Sequence, residues 1–339
     1  MDKLKTKLKF ISIIFFFALF FVSTIGTHQV YAKTLIKCAI VAPKGSTWMN
    51  ILEEWDRDLR KRTNGDLGFK FYSSGSMGDE KTVLRKMRSG QLDAGALTGL
   101  GLGMVVPEIR LLELPFMYDS ISDVDYVRSH LDSFYDKEFA KKGFVNLAWA
   151  ETGFVYIFTN KAIRSVNDLK GSKMWMWEGD KMVEELFKTL ELTPIPLSLT
   201  DVLTSLQTRL IDGVYAPPVA AISLQWTTKV KYMLDLKMAN STGAILLSQD
   251  TFNKLSPSNK SALEATSKIY SEKLISSIRR DNEKAKASIK SSGITFTTAT
   301  SADIKKMKEL SNKAAERLIG KLYSRDMLDK ARALKKQAN

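Results

Sequence analysis

The sequence predicts an α/β protein of two similarly built lobes, and three observations carry that reading. The first is an internal echo. Val83-Leu84-Arg85-Lys86-Met87-Arg88-Ser89, leading to Leu92-Asp93-Ala94, is matched by Val202-Leu203-Thr204-Ser205-Leu206-Gln207-Thr208, leading to Ile211-Asp212-Gly213, at a constant offset of 119 residues. Each copy places apolar residues at i, i+1 and i+4, as an amphipathic helix does, then turns and opens a short strand. The second is length: 339 residues at about 150 per domain predict two domains with ample core. The third is the extended run from Phe144 to Thr159, which reads as a crossover between lobes, set against a tail that is almost wholly helical beyond Ala262.

Taken in order, the chain opens with Lys3, Lys5, Lys7 and Lys9, an apolar run from Phe10 to Ile25, and Val30-Tyr31-Ala32. Basic, apolar and small-x-small segments in that order read as a secretory signal peptide over residues 1–32, cut after Ala32; an uncleaved anchor is the alternative. Leu35 to Ala42 reads as the first strand, Thr47 to about Thr63 as a helix, and Phe69 to Tyr72 as the second strand. Asp79 is placed to cap the helix of the first repeat copy. Ser165-Val166-Asn167-Asp168 has capping-box spacing for a short helix, and Gly293 to Thr300 reads as one further strand. The expected boundaries are 33–153 with 244–292 for lobe I and 154–243 for lobe II, with 293–339 packing on the lobes as a strand and helices.

The strands after the two copies run into Thr98-Gly99-Leu100-Gly101-Leu102-Gly103 and Ala216-Pro217-Pro218. Ligands of open α/β sheets bind beyond the carboxyl ends of strands, so both segments, read as loops, are expected to face one cleft. The glycine spacing is not that of a dinucleotide fingerprint.

Composition narrows the chemistry. His130 is the sole histidine outside the signal, and Cys38 is the only cysteine. A Ser-His-Asp or Cys-His system, or a histidine-rich zinc site, would rest on that one histidine. A single cysteine forms no internal disulfide, and Cys38 lacks a lipobox context. No Gly-x-Ser-x-Gly elbow is present, so no catalytic residue, cofactor or metal is expected, and a secreted hydrolase is the remote alternative. The net charge is +14, with acidic residues interleaved among the lysines of the last third. That pattern reads as solvated helix faces, and nucleic acid is not an expected partner.

The most pointed segment is Gly171-Ser-Lys-Met-Trp-Met-Trp-Glu-Gly-Asp180. In a strand, Trp175 and Trp177 share one face and Met174 and Met176 the other. Core packing and a ligand wall are both open to those tryptophans.

With Pro43-Lys-Gly-Ser-Thr-Trp48, Gly75-Ser-Met-Gly-Asp-Glu80, Leu114-Pro-Phe116, Asp168-Leu-Lys-Gly171 and Leu206-Gln-Thr-Arg-Leu-Ile-Asp-Gly213, the chain resembles the DctP-type solute-binding subunits of tripartite ATP-independent periplasmic (TRAP) transporters. The resemblance implies the two-lobe periplasmic solute-binding fold, with crossing strands and a long connecting helix. It also implies a small organic solute as ligand, DctQ- and DctM-type permease subunits as partners, and a periplasmic location. The Lys-Met-Trp-x-Trp-Glu-Gly-Asp form resembles the subgroup linked to a periplasmic tetratricopeptide-repeat protein, for which a hydrophobic ligand has been proposed.

Where most members carry the arginine that pairs with a ligand carboxylate, this chain has Trp175; Val155 and Ala216 stand at two other polar positions of the sialic-acid-type members. An indole offers one N–H and no charge where guanidinium offers a bidentate fork. The expected ligand is therefore apolar, aromatic or amphipathic. A 2-oxo or aromatic monocarboxylate held by Lys173 or by backbone amides is the alternative. The expected ligand-binding residues are Ser46, Trp48, Thr98, Phe116, Trp149, Glu151, Trp175, Trp177, Tyr215, Pro217, Gln225 and Trp226. Arg209 replaces the family's usual glycine after the second repeated helix, where a left-handed turn would suit glycine.

Overall fold

The computed structural model describes residues 34–338. The segment read as a signal peptide lies outside them. No helix among the described residues is long and apolar enough to cross a membrane.

The architecture grows from the repeat. Strands β1 (Thr34–Ile40), β2 (Leu67–Tyr72) and β3 (Ala94–Thr98) pair in parallel in the order β2-β1-β3. Strands β5 (Lys173–Trp177), β6 (Thr193–Leu197) and β7 (Gly213–Ala216) repeat the arrangement as β6-β5-β7. The matched aspartates do matched work. Asp93 accepts the N–H of Lys37 on β1 at 2.8 Å, and Asp212 accepts that of Lys173 on β5 at 3.0 Å. Each thereby ties the turn after a repeated helix to the neighbouring strand.

Two long antiparallel strands join these halves into one mixed sheet: β4 (Phe144–Thr159) and β8 (Tyr232–Ser248). β3 pairs with Gly243–Leu247 of β8, and β7 pairs with Tyr156–Thr159 at the far end of β4. Register shifts fall between Asn146 and Ala148, Glu151 and Gly153, and Val155 and Ile157, so the crossing ribbon bends by bulges at its middle. The short strand β9 (Thr295–Thr297) adds to β8.

The helix Pro257–Ser291 has 35 residues, about 50 Å at 1.5 Å per residue, and touches both halves. Thr266 accepts the indole N–H of Trp55 at 2.8 Å, and Asn282 accepts the N–H of Val219 at 3.1 Å. Helices Ser301–Arg317 and Arg325–Gln337 pack on helices Lys181–Thr189 and Ile121–Lys141.

The caps expected from sequence are formed: Asp79 accepts the Thr82 N–H at 3.0 Å, and Ser165 and Asp168 make a reciprocal capping box. Cys38 is buried, and desolvation pushes its thiol up to about 12, so it is unreactive. Arg209 adopts the left-handed conformation, φ 59°, in glycine's usual place, at a steric cost of about 1–2 kcal/mol.

One expectation is corrected. The segment Gly99–Val105 is a buried helix, followed by a 3-10 turn at Pro107–Glu113, instead of a loop. Glycine is poor in helices, but here bulk is forbidden: a Cβ on Gly99 would sit 2.1 Å from the Glu113 carboxyl, and one on Gly101 2.6 Å from Glu80. The glycines make room for buried carboxylates, which overrides propensity.

Candidate functional site

The ends of β1, β3, β5 and β7 converge with the middles of β4 and β8 around one cavity of about 230 Å³. Both segments expected to face a shared cleft contribute, through Thr98 and Leu100 on one side and Tyr215, Ala216 and Pro217 on the other. A dry cavity of 150 Å³ accepts benzene, so this one has room for about nine non-hydrogen atoms.

Eight of the sequence-expected residues stand on the wall: Ser46, Trp48, Thr98, Trp175, Trp177, Tyr215, Pro217 and Trp226. Val155 and Ala216 stand there too. Trp175 is also core. Its indole is stacked on Tyr215 at 4.8 Å, meets Trp226 edge-on at 5.1 Å, and lies 5.8 Å from Trp177. Its single N–H is spent on the Leu197 carbonyl at 3.2 Å. The Tyr215 hydroxyl accepts the Trp177 N–H at 3.2 Å, and burial pushes its pKa well above the ordinary value. The aromatic side of the cavity thus presents mostly ring surface, with the Trp175 indole N–H already bonded.

Four expected residues are elsewhere, for clear reasons. Trp149 packs against Tyr135 and Phe139 of helix Ile121–Lys141 under the Arg128 guanidinium. Glu151 is claimed by Arg279 through two bonds of 2.8 and 2.7 Å, and Arg279 also grips Asp125. Phe116 takes a left-handed turn whose N–H donates to Met238 O at 2.7 Å, packing the ring into the second lobe's core. Gln225 is exposed at a left-handed cap before the 3-10 turn Trp226–Thr228. Lys173 is exposed at the outer start of β5, away from the wall.

Sequence reasoning missed the charged part of the wall. Arg110 on the 3-10 turn is 5 % exposed, and its guanidinium meets Glu113 at 2.9 Å and Asp180 at 2.9 Å. Asp180 also caps helix Lys181–Thr189 by accepting the N–H groups of Met182 and Val183. Glu113 in turn accepts the Thr242 N–H at 2.7 Å. Arg110 follows β3 and Asp180 follows β5, so this buried pair bridges the two halves of the sheet across the cavity. One cation thus faces two carboxylates through its two terminal nitrogens, and its Nε has no partner among the described residues. The available signal was Met104-Val-Val-Pro-Glu-Ile-Arg-Leu-Leu-Glu-Leu-Pro-Phe116, charges set in an apolar run, since buried charges are paired.

A third buried carboxylate supports the wall. Glu80 accepts the N–H groups of Thr98 and Gly101 and the Thr98 hydroxyl, at 2.7, 2.7 and 2.9 Å, fixing Thr98 in place. Desolvation outweighs these donors and pushes Glu80 up to about 7; it pushes Glu113 up to about 6 despite Arg110. Both folded-state values lie above the ordinary 4.5, so the folded chain holds protons that the unfolded chain releases. The stability this contributes is complete below the ordinary value and is lost as pH rises through the folded values, up to about 3 kcal/mol for Glu80. Thermal melts are therefore expected to fall between pH values of about 5 and 8. Glu80→Gln should flatten that fall while melting lower at the acid end, because an amide NH2 would face a backbone N–H. Identical slopes in the two proteins would refute this role.

A two-lobe α/β fold with an apolar cavity at its strand ends is an architecture suited to binding a solute. Within that class, the chain belongs to the bacterial extracellular solute-binding protein family 7, the DctP family, which matches residues 38–321. It is 22% identical to the sialic acid-binding periplasmic protein SiaP of Vibrio cholerae over 274 residues, 79% of this chain and 84% of that one. Among solved structures it superposes on the sugar acid binding protein DctPAm of Advenella mimigardefordensis, in complex with galactonate, with TM-score 0.86 and 19% identity, covering 91% and 99% of the two chains. A TRAP periplasmic solute binding protein of Desulfovibrio salexigens with bound orotic acid gives TM-score 0.81 and 18% identity, covering 90% and 99%. The family is one of solute-binding proteins of transport.

Proposed function

We propose that this chain is the periplasmic solute-binding subunit of a TRAP transporter and captures a small apolar, aromatic or amphipathic organic solute between its lobes. It then delivers the solute to an ion-gradient-driven permease of DctQ- and DctM-type subunits. Export through a cleavable signal over residues 1–32 belongs to the same reading. The Lys173–Asp180 motif supports a periplasmic tetratricopeptide-repeat protein as a further partner.

One observation carries the ligand class: among the described residues, the cavity wall offers an anion no cation that is not already held by carboxylates. Trp175 lines the wall where the resemblance would have a carboxylate-pairing arginine, and Arg110 is held by Glu113 and Asp180. A carboxylate desolvated there would lack the charge-assisted bonds that offset its burial. The second reading, a carboxylate ligand, is favoured by relatives whose names record sialic acid and galactonate. It would need backbone amides, because Lys173 lies off the wall.

The discriminating experiment is mass spectrometry of an organic extract of the protein purified from its native envelope. A lipid-like or aromatic compound is the expected result. A plain organic acid as the stoichiometric ligand would transfer the argument to the second reading.

A further inference from the structure

Two residues on the cavity wall each carry a buried donor that has no partner among the described residues: the Asn240 amide nitrogen and Arg110 Nε. The neighbouring polar groups are largely committed. Ser46 Oγ accepts the Met49 N–H, the Thr98 hydroxyl donates to Glu80, and the Thr47 hydroxyl donates to Asp281. Buried amides are rarely left unpaired in native proteins unless a ligand or water completes them. Asn240 is 3 % exposed on β8, and the strand is clamped on both sides of it. Phe116 N–H donates to Met238 O at 2.7 Å, and Thr242 N–H donates to Glu113 at 2.7 Å. The amide is thus held on a fixed stretch of backbone beside the Arg110 turn, a preorganised group of the kind that orients a ligand.

We propose that Asn240 is the polar anchor of the ligand site, and that the ligand carries one uncharged hydrogen-bond acceptor, a carbonyl or hydroxyl oxygen, on its apolar body. This rests on the reading that the cavity receives an apolar solute. An acceptor is required because both unpartnered groups donate, and a guanidinium Nε has no acceptor orientation. An uncharged one is required because the Arg110 cluster never presents net positive charge: one cation faces two carboxylates, or one if Glu113 is protonated. A carboxylate head would find no surplus cation to pair with, and an ammonium head would leave the Asn240 donor unpaired.

The test is calorimetric titration of the ligand-free exported protein with 1-octanol, octanamide, octanoate and octylamine, which share one chain and differ in head group. Naphthalene, followed by tryptophan fluorescence, probes the apolar wall alone, and galactonate serves as the sugar-acid control. Octanol and octanamide are expected to bind at least tenfold tighter than octanoate and octylamine. Asn240→Leu should weaken both by about tenfold, a typical effect of one buried hydrogen bond, and leave naphthalene within twofold. Asn240→Asp, which turns the anchor into an anionic acceptor, should move the preference to octylamine.

Octanoate as the tightest of the four, or an Asn240→Leu protein that holds octanol unchanged, would overturn the anchor. Naphthalene binding in the absence of any octyl binding would overturn it while sparing the apolar reading. Galactonate binding without naphthalene binding would overturn both. The head-group order in the unmutated protein stands independently of whether either variant folds.

Discussion

Arg110→Met is expected to lower the unfolding free energy by about 3–5 kcal/mol, the cost of leaving buried carboxylates without their cation. Arg110, Glu113 and Asp180 are each about 5 % exposed, so water cannot take over the lost bonds. Methionine fills much of the volume and isolates the electrostatic part. Asp180→Asn should cost less, about 1–3 kcal/mol, because an amide oxygen still accepts the N–H groups of Met182 and Val183. In the double variant one carboxylate fewer is orphaned, so the two losses should be strongly non-additive. Urea denaturation of the four proteins measures this; additive losses would show that the ion pair is not the coupling element. Since the pair joins the segment after β3 to the segment after β5, the Asp180→Asn protein should also populate a more open form. Small-angle scattering would detect it as a larger radius of gyration without ligand, and an unchanged radius would limit Arg110 to a folding role.

The repeat made most of the fold legible, and the reason is local. Helix, turn and strand in each copy follow from contiguous residues, with Asp79 capping its own helix, while Asp93 and Asp212 tie each copy to the strand beside it. β4 was equally readable, as an uninterrupted extended run. Its partner β8 was not, because Asn240-Ser-Thr-Gly243 at its centre resembles a loop and only pairing with β4 makes a strand of it. The same division runs through the site. Strand-end residues such as Trp175, Tyr215 and Thr98 are placed by local pattern, whereas Arg110 reaches Asp180 only through the folding of both halves. Glu151 misled for the converse reason. Nothing near it in sequence announces that Arg279, 128 residues away, will claim it.

Trp175→Arg is expected to change both stability and ligand class. Removing the indole vacates a ring packed on Tyr215 and Trp226 and leaves the Leu197 carbonyl with the Glu178 N–H as its one donor. Large aromatic truncations in cores cost about 3–5 kcal/mol. Arginine refills part of that volume and can lie against both neighbouring rings, which recovers about 1–2 kcal/mol. Desolvating an unpaired guanidinium costs several kcal/mol more, so the net loss should be no smaller than for Trp175→Ala until an anion pairs with it. The new guanidinium would be the wall's first uncommitted cation, with a fork suited to a carboxylate. Titration should then show apolar probes weakened by about tenfold or more, equivalent to 1.4 kcal/mol, and octanoate overtaking octanol. Trp175→Phe separates the two contributions: it keeps ring surface and loses only the N–H, so it should retain the apolar preference with a stability loss near 1 kcal/mol. A Trp175→Arg protein that folds and still ranks octanol above octanoate would show that ligand class is decided elsewhere on the wall. In that event the aromatic cluster of Trp175, Tyr215 and Trp226 would be core alone, and the selectivity would rest with the polar groups facing it across the cavity.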